Sequence, residues 1–305
     1  MRSNRGPWQV PSRLRGFMKA LLEEALSSVF GRPLRAHDRA TPTDLSRARI
    51  AGSSDRVCST GRCYGRTSAR RITKDEVMIK FYYNLAPNPT KVALCLEEMG
   101  LPYELVPVDT RKGEQHAPAF LAINPNAKVP AIVDDGTTVF DSNAILLYLA
   151  EKTGQFLPSP SPAARGELLS WLMFVASGIG PYSGQAVHFR NVAPEPKDYA
   201  LNRYTFEAQR HWGILDARLG SRRFMLGDDY TIVDMAVWGW SRLLAVVLGP
   251  DGPSQFPNVQ RHLAEINARP AAARALALKD RHAFKADMDE AARLAMFPHL
   301  GKQLA

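Results

Sequence analysis

The chain has 305 residues, 45% of them hydrophobic, and a formal net charge of +9 at pH 7. Its length accommodates two domains, and this hydrophobic content is enough to give each a core. No apolar run reaches the ~20 residues that a membrane-spanning helix needs, so we expect no membrane partner. The whole charge excess lies in residues 1–77, which hold 16 Lys and Arg but 7 Asp and Glu. Because the rest of the chain is balanced, its charge gives no reason to expect nucleic acid as a partner.

Residues 1–77 form a basic leader that is rich in Arg, Ser, Gly and Pro. Residues 17–26 are a short amphipathic helix at best, and residues 31–77 show no sustained hydrophobic period. We therefore expect a disordered leader, or one that is not translated in the functional protein, because Met78 opens the first strand. The alternative, a nucleic-acid-binding arm, needs clustered charge with interleaved aromatic residues, whereas these Arg residues are dispersed.

Three cysteines provide no disulfide framework for the folded part of the chain. Cys58 and Cys63 lie in the leader without His or Cys companions at zinc-ligand spacing, so we expect no metal site there. Cys95 falls on the apolar face of a predicted helix and is expected in the core. This usage indicates a reducing compartment, and we expect a cytoplasmic protein.

Residues 78–157 predict an α/β domain with the element order β-α-β-α-β-β-α. A buried strand is followed by a helix that Thr90 caps and Gly100 ends, and then by a second strand. Such a unit implies a parallel strand pair with a right-handed crossover. After a short helix come a third strand, a hairpin turning at residues 134–136 and a third helix.

Three features of this domain are suited to an anionic, extended ligand. The loop at residues 84–89 and the helix N-terminus after it lie at the carboxyl end of the first strand, where positive potential favours a thiolate. The backbone edge before Pro130, where the peptide bond is a candidate for the cis form, can pair with an extended peptide. Asp141 or Ser142 can cap a helix whose N-terminus holds a carboxylate. The residues alone thus predict an anion-binding helix N-terminus in an α/β domain.

The rest of the chain predicts a stiff, Pro-rich linker at residues 158–162 and an all-helical domain at residues 163–300. Within it, Thr231 and Asp234 form a capping box whose role is structural. The helix that follows, residues 232–247, is apolar almost all round, so it is predicted to be the buried centre of the bundle.

Three motifs together carry a family resemblance: Ala-Pro-Asn at residues 86–88, Asn-Pro-Asn-Ala-Lys-Val-Pro-Ala-Ile at residues 124–132, and the stretch from Asp141 to Gly154. Residues 78–157 resemble the glutathione-binding half of the glutathione S-transferase superfamily, and residues 163–280 resemble its helical half. The motifs look most like the bacterial Nu-class type, the glutathione-dependent disulfide-bond oxidoreductases. The resemblance implies a thioredoxin-like domain followed by an all-α bundle, and a homodimer.

The resemblance assigns the thiol end of glutathione to the loop before the first helix. Asn88 matches the Nu-type Asn and is the implied catalytic residue, with the helix N-terminus as its partner. Ala86 stands where the type has a Thr, so one hydroxyl hydrogen bond to the sulfur is missing. Tyr82 and Tyr83 are expected to pack rather than to replace it, because they alternate across a strand.

The remaining glutathione contacts are also implied by the resemblance. The Val129 backbone would pair with the cysteinyl part, Ser142 would hold the γ-glutamyl carboxylate, and Asp141 would meet the ammonium. Lys128 and Gln115 would reach the glycyl end. The alternatives are that Lys128 and Gln115 are solvated loop residues and that Asp141 only caps its helix.

Arg203 matches a Nu-type Arg that reaches the bound thiol compound from the helical side. It could anchor a glutathione carboxylate or the second half of glutathione disulfide, or it could be a surface Arg on an amphipathic helix. The resemblance therefore implies glutathione as co-substrate, no metal, and a small electrophile or disulfide as second substrate. The alternative function is a non-catalytic module that binds glutathione or a protein.

Overall fold

A computed structural model describes residues 78–301. The predictions for residues 1–77, including those for Cys58 and Cys63, lie outside the described residues. None of the helices in the described range is long and apolar enough to cross a membrane.

The α/β domain is built on a four-stranded sheet in the order β2-β1-β3-β4, with β1 at Ile79–Tyr83, β2 at Tyr103–Pro107, β3 at Ala131–Asp134 and β4 at Thr137–Phe140. β1 pairs parallel with β2 and antiparallel with β3, and β3 and β4 form the predicted hairpin. The turn residues Asp135 and Gly136 both have positive φ, at 46° and 76°, as a two-residue hairpin turn requires. This is the thioredoxin-like order that the sequence predicts.

Three helices cover the sheet: α1 at Pro87–Met99, α2 at Pro118–Leu121 and α3 at Ser142–Thr153. The prediction that Thr90 caps α1 is wrong, because the helix already begins at Pro87, whose fixed φ suits the first helical position. The Thr90 hydroxyl instead donates to the carbonyl of Ala86 at 2.8 Å. Gly100 ends α1 with a φ of 63°, as predicted.

The helical domain contains eight α-helices within the described range: α4 at Pro162–Phe174, α5 at Gly180–Asn191, α6 at Asp198–Leu219, α7 at Ile232–Ser241, α8 at Leu244–Leu248, α9 at Pro257–Asn267, α10 at Pro270–Leu276 and α11 at Glu290–Met296. A π-helical segment, Val175–Ile179, joins α4 to α5 without a break. The helix predicted at residues 232–247 is two helices, because Leu243 leaves helical geometry at φ −110° and ψ 14°.

α7 is the buried centre of the bundle, since all ten of its residues are buried. The predicted capping box is confirmed: Asp234 accepts from the Thr231 amide at 2.8 Å. Asp234 also accepts from the Met225 amide at 2.7 Å and from His262 Nε2 at 2.9 Å. One buried carboxylate therefore joins the start of α7 to the loop before it and to α9.

α7 also packs closely against α1, so the two domains are in contact at these two helices. A Cβ atom on Gly239 would lie 2.7 Å from the carbonyl oxygen of Pro87 and 3.1 Å from Cβ of Lys91. Only glycine fits this approach without moving the backbone. The contact places the next residue, Trp240, beside the N-terminus of α1.

Candidate functional site

A cavity of about 340 Å³ lies where the N-termini of α1 and α3 face the helical domain. The α/β domain contributes Asn88, Lys91, Lys128, Asp141, Ser142 and Asn143 to its wall. The helical domain contributes Val175, Ala176, Gly180, Pro181, Gly184, Gln185 and Trp240. Four of the predicted site residues, Asn88, Lys128, Asp141 and Ser142, are therefore brought together.

Asn88 is half-buried at the second position of α1, and the helical domain orients its amide. Trp240 Nε1 donates to Asn88 Oδ1 at 3.0 Å. Because an indole nitrogen is only a donor, the amide oxygen must face Trp240. Asn88 Nδ2 then has no partner among residues 78–301, and it is available as a donor at the cavity wall.

The first turn of α1 offers fewer backbone donors than a typical helix N-terminus. Pro87 and Pro89 have no N–H. The Ala86 amide donates to the side chain two residues before it at 2.9 Å, and the Thr90 amide donates to the Ala86 carbonyl at 3.1 Å. Within the described part of the chain, the Asn88 amide is the backbone donor left free in this turn. A typical helix N-terminus offers several free N–H groups, but here Asn88 provides the free one. The two prolines on either side of Asn88 are the sequence feature that predicts this.

Asp141 and Ser142 shape the other end of the cavity. Asp141 caps α3, because its Oδ1 accepts from the amides of Asn143 at 2.9 Å and Ala144 at 3.1 Å. Its Oδ2 and the hydroxyl of buried Ser142 have no partner in the range 78–301. Asp141 also has a φ of +69°, a conformation that costs a non-glycine residue on the order of 1–3 kcal/mol. The predicted cap is confirmed, and the contact of Asp141 with a ligand stays a prediction.

Lys91 is a site residue that sequence reasoning missed. It is 1% exposed, and its Nζ donates to Asn143 Oδ1 at 2.9 Å at the cavity wall. Burial lowers the pKa of Lys91 to about 7, while the nearby Asp141 carboxylate opposes this shift. The sequence spacing could have identified Lys91 as a cavity residue, since it lies three residues after Asn88 and hence on the same face of α1.

The Val129–Pro130 peptide bond is cis, as the sequence analysis proposed, and Pro130 is buried directly before β3. Neither the amide nor the carbonyl of half-buried Val129 has a hydrogen-bond partner among the described residues. The exposed side chain of Lys128 lies on the cavity wall beside it. An unpaired backbone edge thus borders the cavity, and its pairing with a ligand stays a prediction.

Gln115 and Arg203 lie apart from this cavity. Gln115 is buried, and its Nε2 donates to the carbonyl of Ala295 in α11 at 2.9 Å. Arg203 is an exposed residue of α6 that forms an ion pair with Glu207 at 2.7 Å. Both residues are engaged within the protein, so their contacts with a ligand remain predictions that need a rearrangement.

The other candidates near the first strand pack as expected. Tyr83 is buried and hydrogen-bonded to His282 Nδ1 at 2.9 Å, and Tyr82 packs against Phe120 with ring centroids 5.7 Å apart. Cys95 is completely buried, and burial raises the pKa of its thiol. None of these three side chains lines the cavity.

The described residues contain no group of three or more His, Cys, Asp or Glu side chains that could hold a metal ion. His211 is bonded through Nδ1 to the Glu207 carbonyl at 2.7 Å. His188 packs against Phe297 with ring centroids 4.7 Å apart. Together with His262, which bonds Asp234, these histidines therefore have structural partners.

Two of the larger cavities, of about 630 and 520 Å³, have walls in which some of the charged groups are already paired. In the first, at the β2 edge, Arg274 bonds Glu97 at 2.6 Å. In the second, between the loop before α1 and the C-terminal segment, Arg111 donates to the Lys285 carbonyl at 2.9 Å. The 340 Å³ cavity is the better candidate because partnerless polar atoms from two helix N-termini converge on it.

The depressed pKa of Lys91 leads to a pH prediction. An unfolded Lys binds its proton up to about pH 10.4, whereas folded Lys91 releases its proton near pH 7. Between these values the unfolded state holds one more proton, so Lys91 makes the free energy of unfolding rise with pH, by about 1.4 kcal/mol per pH unit. We expect urea unfolding at pH 7–10 to show this rise in the wild type relative to Lys91→Met. Parallel pH profiles for the two proteins would contradict it.

The fold and the cavity define a two-domain protein of the thioredoxin-like class, with its candidate site between the sheet domain and the helical domain. Family models for the N-terminal and C-terminal domains of glutathione S-transferase match residues 86–152 and 198–265. The disulfide-bond oxidoreductase YfcG of Escherichia coli (strain K12) is 42% identical over 206 residues, which cover 65% of this chain and 94% of YfcG. The chain therefore belongs to the glutathione S-transferase family.

Two solved structures of relatives contain glutathione species. A glutathione transferase family member from Pseudomonas fluorescens pf-5, with two glutathione molecules bound, is 41% identical, with a TM-score of 0.63 over 67% of this chain and 95% of that chain. A glutathione transferase from Pseudomonas putida, with one glutathione disulfide bound per subunit, is 37% identical. Its TM-score is also 0.63, over 68% of this chain and 94% of that chain.

Proposed function

We propose that this protein is a glutathione-dependent thiol–disulfide oxidoreductase. The supporting observation is that Asn88 Nδ2, Asp141 Oδ2 and Ser142 Oγ, all without partners in residues 78–301, converge on one cavity. Glutathione carries a thiol, an ammonium and carboxylates that complement these atoms. The similarity to YfcG and to a relative that binds glutathione disulfide favours disulfide exchange over conjugation of an electrophile.

Each part of glutathione would have a partner at the cavity. Ser142 would hold the γ-glutamyl carboxylate through its hydroxyl and amide, and the free Asp141 oxygen would accept from the ammonium. The unpaired backbone of Val129 would pair with the cysteinyl part, and Lys128 would reach the glycyl carboxylate. Asn88 would then donate to the sulfur through its amide side chain and its backbone N–H.

The reaction is a two-step exchange that consumes two glutathione molecules. The thiolate held by Asn88 attacks one sulfur of the substrate disulfide, the substrate S–S bond breaks, and the leaving thiolate takes up a proton. A second glutathione thiolate attacks the resulting mixed disulfide, which releases glutathione disulfide and the second substrate thiol. The substrate gains the two electrons that the two glutathione molecules lose.

The test is glutathione-dependent reduction of a small disulfide by the full chain, with glutathione binding measured in parallel. We expect saturable activity in which thiol product appears at twice the amount of glutathione disulfide. Binding without either disulfide reduction or conjugation of an electrophile would support the binding module instead. Absence of binding would overturn the assignment of the cavity.

We also propose that the protein forms a homodimer, as the family resemblance implies. The exposed apolar side chains of Phe140 in β4 and Met173 in α4 support this, since they are 43% and 47% exposed in the single chain. Sedimentation of the full chain at several concentrations would give the mass of the assembly. A monomer throughout would contradict the proposal.

A further inference from the structure

We infer that Trp240 is a positioning residue that holds the Asn88 amide in the orientation that activates the glutathione thiol. The inference rests on the proposed function and adds to it a residue from the other domain. Its starting point is the 3.0 Å hydrogen bond from Trp240 Nε1 to Asn88 Oδ1, which joins residues 152 positions apart in the sequence.

The hydrogen bond matters because a terminal amide has two ends of opposite character. Rotation of the Asn88 amide by half a turn exchanges its acceptor oxygen with its donor nitrogen. In one orientation the cavity meets an N–H, which stabilises a thiolate; in the other it meets an oxygen, which repels one. The indole N–H accepts nothing, so it stabilises only the orientation with the nitrogen toward the cavity.

The surroundings of Trp240 hold the indole in place. Its side chain is 8% exposed and lies at the cavity wall between α1 and α5. Cβ atoms built on Gly180 and Gly184 of α5 would lie 3.5 and 3.6 Å from the indole, an ordinary van der Waals distance, so α5 lies directly beside the ring. On the other side, the absence of a side chain on Gly239 lets α7 approach α1. The indole is thus largely buried between α1 and α5, which restricts the positions that its N–H can take.

The residue at position 86, an alanine, makes the hydrogen bond between Trp240 and Asn88 more important. Its side chain has no hydroxyl that could donate to the sulfur. The first turn of α1 also offers little else, because Pro87 and Pro89 lack N–H groups. Thiol activation on this side therefore depends on Asn88 alone, and the orientation of its side-chain amide decides whether the side chain adds to the donation from its backbone N–H or opposes it.

The experiment replaces Trp240 and measures the pKa of the glutathione thiol bound to the full chain, by thiolate absorbance against pH. For Trp240→Phe we expect the thiol pKa to rise by about 0.5–1 unit and disulfide reduction near neutral pH to fall about 3- to 10-fold, the effect of one hydrogen bond. In an Asn88→Ala background, Trp240→Phe should cause no further rise in the thiol pKa, because the amide that it orients is absent.

Trp238→Phe is the matched control. Trp238 also lies on α7 and also donates through Nε1 to an Asn side chain, Asn267 Oδ1 at 2.8 Å, but it does not line the cavity. Its substitution removes an equivalent indole–amide hydrogen bond and should leave the thiol pKa unchanged. If Trp240→Phe fails to fold, 3-benzothienylalanine at position 240 keeps the bicyclic ring and replaces the N–H with sulfur, with the same expected rise.

The outcomes separate this inference from the proposed function. An unchanged thiol pKa in Trp240→Phe, with a raised one in Asn88→Ala, would overturn the positioning role and leave the function intact. A rise that persists in full in the Asn88→Ala background would also overturn it, because Trp240 would then act on the sulfur by another route. An unchanged thiol pKa in Asn88→Ala itself would instead remove the thiol site on which both proposals depend.

Discussion

Asn88→Ala is expected to lower kcat/KM for glutathione-dependent disulfide reduction by about 10- to 100-fold. A hydrogen bond to a charged acceptor contributes about 1.5–3 kcal/mol, and each 1.4 kcal/mol is a factor of ten. The loss should fall mainly on kcat, because the γ-glutamyl end of glutathione would still be held at Asp141 and Ser142. Steady-state kinetics with glutathione varied at fixed disulfide would separate kcat from KM.

Two further variants sharpen this measurement. Asn88→Asp keeps the shape of the side chain and the acceptor for Trp240, but it presents a negative oxygen to the sulfur, so its loss should at least equal that of Asn88→Ala. Asn202→Ala removes an exposed Asn of α6 and should leave the rate unchanged. A rate for Asn88→Ala within twofold of the wild type would show that Asn88 does not activate the thiol.

Asp234→Ala is expected to lower the free energy of unfolding by about 3–5 kcal/mol, the cost of removing one partner from a buried charged network. Asp234 is completely buried and accepts from the Met225 and Thr231 amides, the Thr231 hydroxyl and His262 Nε2. Its removal leaves these donors buried without an acceptor. Urea unfolding of the full chain, followed by far-ultraviolet circular dichroism, gives the change.

Asp228→Ala is the matched control for this stability measurement. Asp228 is exposed in the loop between α6 and α7, six residues before Asp234. Its substitution should change the free energy of unfolding by less than about 0.5 kcal/mol. Equal effects of the two substitutions would show that the buried network does not hold the helical domain together.

The order of elements, the end of α1 and the starts of α3 and α7 could be predicted because their signals are local, whereas Asn88 and Lys128 were assigned through the family resemblance. Gly100 ends α1, Asp141 caps α3, and Thr231 and Asp234 cap α7 through contacts a few residues apart in the sequence. The cap of α1 was misassigned because Thr90, a good capping residue, follows a Pro that already suits the first turn.

The remaining site residues depend on contacts that no local pattern contains. Gln115 meets Ala295 across 180 positions, so nothing near it in the sequence shows that its amide is engaged. The ion pair of Arg203 with Glu207 was readable, since four residues separate them on one helix. Trp240 lies in the helix that is predicted to be the buried centre of the bundle, and only the packing of α7 on α1 shows that its N–H meets Asn88.

The close approach of α7 to α1 at Gly239 has a consequence for how such a chain can be divided or recombined. A chimera that joins this α/β domain to a helical bundle without Trp240 would keep Asn88 but would lose the indole N–H that orients its amide. Acidity of the thiol would then change along with the choice of second substrate, although no residue of the sheet domain had been altered. On the proposed roles of Asn88 and Trp240, the two domains are not interchangeable, and a change in the bundle also changes the reactivity of the sulfur.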